Sequence, residues 1–77
     1  MIFGIKLNTP EDVQQLNRHA TRFDFDMFVH GKTKQEFIDA KSLLGLMSLA
    51  NKDELKLVVP DHVNEKYVCK GIENLLA

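Results

Sequence analysis

Along this chain the apolar residues fall into short alternating stretches, one clear helical stripe and a terminal apolar face, separated by polar turns. Phe3, Ile5 and Leu7 alternate with Gly4 and Lys6, the period of a half-buried strand. Asn8-Thr9-Pro10-Glu11-Asp12 then supplies a cap, a first-turn proline and acidic residues suited to the positive end of a helix, which predicts a helix from about Pro10. Val13, Leu16 and Ala20 follow at helical spacing, with Gln14, Gln15, Asn17 and Arg18 between them. The helix therefore lays one narrow apolar stripe on a core and ends near Thr21.

Phe23, Phe25, Met27 and Val29 alternate with Asp24, Asp26, Phe28 and His30, so a strand is predicted over this stretch. The turn formers His30-Gly31-Lys32-Thr33 follow, and a second strand from about Gln35 to Asp39 pairs back as a hairpin. Ser42 opens a short helix in which Leu46 and Leu49 face the core, while Leu43, Leu44 and Met47 have no obvious inward place and are predicted to face outward in part. After the polar loop Asn51-Lys52-Asp53, Leu55, Leu57 and Val59 alternate with Lys56 and Val58, and Pro60 ends the strand because it has no donor for the ladder.

A last helix is predicted with Asp61 as its cap. Val63, Tyr67, Val68, Ile72, Leu75 and Leu76 line one face to the carboxyl end, although Gly71 weakens this helix by up to about 1 kcal/mol relative to alanine. The order strand, helix, strand, strand, short helix, strand, helix fits an α+β open-faced sandwich. In it, three helices cover one face of a four-stranded antiparallel sheet and water covers the other.

Seventy-seven residues make one domain, residues 1–77, near the lower size at which a core suffices without disulfides or metal. A net charge of -1 with scattered Lys and Arg gives no electrostatic footprint for nucleic acid or an anionic membrane. No segment approaches the roughly 20 apolar residues of a membrane span, and the start Met1-Ile2-Phe3-Gly4-Ile5-Lys6 lacks a basic leader, so the chain reads as soluble and cytoplasmic. The lone Cys69 forms neither an internal disulfide nor a zinc motif. His30 in the hairpin and His62 near the last helix read as surface residues, and Asp24 and Asp26 as the wet side of a strand. No hydrolase or transferase constellation, metal site or cofactor is implied, so the chain reads as a non-enzyme.

Ser42 has two readings. As an N-cap its hydroxyl accepts from the free amides of the first turn and adds about 1 kcal/mol. As a phosphate acceptor it projects about two negative charges into the surface formed by Leu43, Leu44 and Met47. Those three side chains, in turn, are either a satellite of the core or a docking face, in which a methionine adapts to more than one partner.

The segment Ile38-Asp39-Ala40-Lys41-Ser42-Leu43-Leu44-Gly45-Leu46-Met47-Ser48-Leu49-Ala50, in a chain of this length and element order, resembles the region around the regulatory serine of HPr, the phosphocarrier of the bacterial sugar phosphotransferase system. The resemblance is specific over residues 38–50 and loose elsewhere. It implies the open-faced sandwich, a serine-directed kinase/phosphorylase acting on Ser42, and docking of the catabolite control regulator or phosphotransferase-system components on Leu43, Leu44 and Met47. In that family the carrier histidine caps the first helix within a Gly-Leu-His-Ala-Arg-Pro-Ala motif, whereas here the stretch reads Lys6-Leu7-Asn8-Thr9-Pro10-Glu11-Asp12. Asn8 or Thr9 thus stands in a degenerate carrier position, the arginine is absent, and Glu11 and Asp12 oppose a phosphoryl group there. The chain is expected to be a regulatory or adaptor member without histidine phosphotransfer. The alternative is an active phosphocarrier using His19, in His19-Ala20-Thr21-Arg22, although His19 on a helix flank also reads as an ordinary surface or half-buried residue.

Overall fold

The computed structural model describes residues 1–33 and 35–77. Four strands, β1 (Ile2–Ile5), β2 (Phe28–His30), β3 (Phe37–Asp39) and β4 (Leu55–Val58), form one sheet in the order β1-β4-β2-β3. Every pairing is antiparallel. Helices α1 (Pro10–Thr21), α2 (Leu43–Met47) and α3 (Glu65–Cys69) complete the predicted α+β open-faced sandwich.

Register decides which face each side chain takes. Phe3, Leu57, Val29 and Ile38 stand opposite one another in a row across the whole sheet, and Leu57 and Val29 are fully buried beneath the helices. The neighbouring row, Ile2, Val58, Phe28 and Asp39, lies on the uncovered face, as the period of two requires. On the helical side Val13, Leu16 and Ala20 of α1 are buried to within 1% of completely. Burial of each such side chain is worth about 1.5–3 kcal/mol, and this stripe pins α1 to the sheet.

The start of α1 is as predicted. Thr9 caps it, its hydroxyl accepting from the Asp12 amide at 3.1 Å, while the Asp12 carboxylate accepts back from the Thr9 amide at 3.2 Å. This capping box satisfies both ends of the exchange.

Three predicted elements are shorter or placed differently. The strand predicted from Phe23 begins only at Phe28, because Phe23 still donates to the Ala20 carbonyl at 3.2 Å as α1 unwinds and has no sheet neighbour. Phe23 and Phe25 pack against each other instead, with ring centroids 4.9 Å apart. Asp24 therefore lies exposed on a bend and Asp26 exposed just after it, neither on a strand face, and Asp26 is 3.7 Å from Lys41. The return strand begins at Phe37 and not near Gln35, since the Glu36 amide is taken by the Thr33 carbonyl inside the turn at 3.0 Å.

The last helix departs most. Its cap is Asn64, whose side chain accepts from the Tyr67 amide at 3.1 Å, and not Asp61, whose carboxylate instead meets the Met1 amino group at 2.5 Å. The helix stops after Cys69, Gly71 takes a left-handed φ of 100°, and a 3-10 turn over Glu73–Leu75 follows. The reason is backbone accounting. The Leu75 carbonyl accepts from Lys6 and the Ala77 amide donates to Gly4, both at 2.8 Å, so this segment binds beside β1 and diverts the Ala77 amide, which a continuous helix would have paired with the Glu73 carbonyl. Val68, Ile72 and Leu75 still reach the core, but Tyr67, predicted on the apolar face, is 67% exposed.

Candidate functional site

Ser42 precedes α2 in an extended conformation, φ -95° and ψ 101°. Its amide donates to the Asp39 carbonyl at 2.9 Å, its carbonyl accepts from Leu46 at 3.0 Å, and its hydroxyl accepts from the Gly45 amide at 3.3 Å. Ser42 is thus both a cap and solvent-exposed. The loop before it is anchored from α1, where Asn17 donates to the Ala40 carbonyl at 3.1 Å. α2 turns Leu46 inward and leaves Leu43, Leu44 and Met47 at 39%, 82% and 53% exposure, while Leu49, predicted on the same helix, is buried from the turn that follows it. Three large, exposed apolar side chains therefore lie on the short helix that Ser42 caps, as the unused positions predicted. No acidic residue occupies the first turn of α2.

Gly45 makes the close seating of α2 feasible. A Cβ at this position would come within 2.6 Å of Ile38 Cγ2, closer than carbon atoms approach.

Asn8 and Thr9 are exposed at the start of α1, and their own amides are already occupied. The Asp12 carboxylate accepts from Asn8 at 2.9 Å and from Thr9 at 3.2 Å, so the chain's own anion sits where helix amides would otherwise attract one.

His19 is not the surface or half-buried residue its flank position suggested. It is 5% exposed, and its Nε2 lies 2.6 Å from the carbonyl oxygen of Val68. A carbonyl only accepts, so Nε2 carries the proton, and in the neutral ring Nδ1 is left as a lone-pair acceptor. Phe23 meets the imidazole edge to face at 5.0 Å between centroids. The spacing from Leu16, three residues earlier on the same stripe, was a usable signal for this burial. Its partner, 49 residues away, was not.

Cys69 is half-buried, and burial together with Glu65 and Glu73 pushes its thiol above the ordinary value, which disfavours the nucleophilic thiolate. His62 is exposed, and His30 stands on the uncovered sheet face with its ring 5.8 Å from that of Phe37. Sequence reasoning missed two features. Phe28 and Phe37 stack at 4.8 Å on the open face of the sheet. A cavity beside His19 also gathers Arg22, Phe23, Tyr67, Lys70 and Gly71, residues that share no motif because a turn of tertiary structure brings them together. Among the described residues no helix is long and apolar enough to cross a membrane. No protein-family model, curated protein or solved structure matches this chain.

Proposed function

We propose that this chain is an HPr-like regulatory or adaptor protein of the cytoplasm that docks protein partners through α2 and uses Ser42 as its switch, without histidine phosphotransfer. The observation that carries the reading is the pairing of the exposed, capping Ser42 hydroxyl with Leu44 and Met47, which are 82% and 53% exposed beside it. Isolated exposed leucines are ordinary, but a cluster on one helix beside a modifiable hydroxyl is the form of a docking surface. A phosphate on Ser42 adds nearly two charges to the rim of that surface and opposes apolar docking by desolvation. The partners proposed from the resemblance over residues 38–50 are an HPr kinase/phosphorylase and the catabolite control regulator or phosphotransferase-system components, with neither nucleic acid nor membrane among them.

The test is treatment with an HPr serine kinase and ATP, site mapping by mass spectrometry, and comparison of melting temperature and partner affinity with Ser42→Ala. Phosphate on Ser42 with an altered affinity and a preserved fold is the expected result. Phosphorylation elsewhere, or none with a kinase active on an ordinary HPr, reduces Ser42 to a cap. Incubation with phosphoenolpyruvate and enzyme I is expected to leave no acid-labile phosphate, since neither Asn8 nor Thr9 has imidazole chemistry. Acid-labile labelling of His19 would replace this reading with the phosphocarrier.

A further inference from the structure

Between the end of α1 and the turn after α3 lies a cavity of about 360 Å³ lined by His19, Arg22, Phe23, Tyr67, Lys70 and Gly71. Its chemistry differs from that of the α2 surface and does not depend on the function proposed for it. Both full charges in its lining are positive, although the chain carries -1 overall. Glu73 is the acidic group near both His19 and Lys70, and its carboxylate is engaged by the Gly71 amide at 2.8 Å, which leaves Arg22 as the cation without that acidic neighbour.

The third polar element is His19 itself. With Nε2 committed to Val68 at 2.6 Å, the neutral ring has one remaining hydrogen-bonding atom, Nδ1, and it can only accept. Nδ1 makes no hydrogen bond among the described residues, where no wholly buried side-chain nitrogen or oxygen is left unpartnered, so Nδ1 keeps some accessible surface on the residue that lines the cavity. Gly71 keeps that edge clear. A Cβ there would stand 3.6 Å from Nδ1 and 3.7 Å from Cε1, and the residue's φ of 100° also favours glycine.

The cavity also has an apolar wall, where Phe23 and Tyr67 meet edge to face with centroids 5.4 Å apart. The frame is held in place before any ligand arrives. Gln15 of α1 donates to the Gly71 carbonyl at 2.9 Å and to Asn74 at 2.8 Å, and the Val68 carbonyl holds the imidazole tautomer. Such preorganisation lowers the ordering cost of binding.

A ligand that satisfies this lining has a negative group for Arg22 and Lys70, a hydrogen-bond donor for Nδ1, and a flat apolar body for the aromatic wall. Small-molecule sites span about 300–1,000 Å³, and the volume here is near the lower end, which suits a single ring. We infer that this cavity is a binding site for a small single-ring aromatic acid bearing a hydroxyl or ring N–H, with its acid group at Arg22 and Lys70 and its donor on His19 Nδ1.

The test is an amide-resolved NMR titration of the full chain with 4-hydroxybenzoate. Phenol, which lacks the acid, benzoate, which lacks the donor, and inorganic phosphate, which lacks the ring, are titrated in parallel. Saturable shifts at His19, Tyr67 and Gly71 are expected, with 4-hydroxybenzoate binding about tenfold or more tightly than any of the three partial ligands. The Arg22→Ala/Lys70→Ala double variant, altered only at exposed side chains, is expected to keep its melting temperature and to lose about tenfold in affinity for 4-hydroxybenzoate but not for phenol. Absence of saturable shifts at these residues at millimolar ligand overturns the proposal. So does equal affinity for benzoate, which removes the role of Nδ1, or equal affinity for phosphate, which removes the ring.

Discussion

His19 on α1 closes the carboxyl end of α3 by donating from Nε2 to the carbonyl of Val68 at 2.6 Å. The last carbonyls of a helix have no partner within it, and α3, only five residues long, is too short to persist by its own hydrogen bonds. One buried side chain therefore joins the first helix to the last. His19→Ala is expected to lose about 2–4 kcal/mol, from the unpaired carbonyl and the void together. Urea denaturation measures it, and a midpoint unchanged from the parent would remove His19 from the framework.

Leu44 and Leu46 lie two residues apart on α2, with exposures of 82% and 0%. Leu46→Ala is expected to cost roughly 2–5 kcal/mol, whereas Leu44→Ala should stay within about 0.5 kcal/mol and weaken partner binding instead. Paired melting curves and a binding measurement separate the two effects. Equal destabilisation by both variants would show that Leu44 belongs to the core.

Gly45 reverses the usual sign of a helix glycine substitution. Replacing an exposed mid-helix glycine by alanine ordinarily gains up to about 1 kcal/mol, but here the new Cβ meets Ile38 Cγ2 at 2.6 Å and the Ser42 hydroxyl at 3.0 Å. Gly45→Ala is expected to destabilise by about 1–3 kcal/mol through overpacking, and Ile38→Ala in the same chain should relieve part of the loss. A stabilised Gly45→Ala would mean that α2 stands farther from β3 than described.

Glu36 is held below its ordinary value of 4.5, first by the Lys52 ammonium 3.0 Å away and next by the Thr33 amide. Its ionised form is thus favoured by folding. The contribution is complete above the unfolded-state value and is lost as pH falls through the lowered folded value. A carbon-detected NMR titration should place the Glu36 midpoint below 4.5, and Lys52→Ala should move it upward. Added salt should do the same more weakly, since the Lys52 side chain is half exposed. A midpoint indifferent to Lys52→Ala would exclude this pairing.

Local pattern was sufficient wherever burial and backbone pairing act in the same direction. Val13, Leu16 and Ala20 show the buried face of α1, Thr9-Pro10 its start, and Leu55, Leu57 and Val59 the central strand, because periods of 3.6 and 2 map directly onto one buried side. The same logic found Leu43, Leu44 and Met47, since four large apolar residues on so short a helix exceed what one face can bury. It failed at Phe23 and Phe25, where an alternating pattern had no neighbouring strand to pair with, and their rings formed a cluster instead.

The sequence by itself determined the element order, the buried stripe of α1 and the exposed apolar side of α2, all of which follow from residues within one or two turns of each other. Only the tertiary structure decided that the last helix would stop after Cys69, where Gly71 turns the chain with a left-handed φ and Gly4 of β1 claims the Ala77 amide. It also decided that His19 is buried with one nitrogen bonded and the other facing a cavity, since Val68 and Gly71 arrive from the far end of the chain. Periodicity reports whether a residue meets core or water, whereas the partner of a buried polar atom depends on contacts of long sequence separation, which no local pattern encodes.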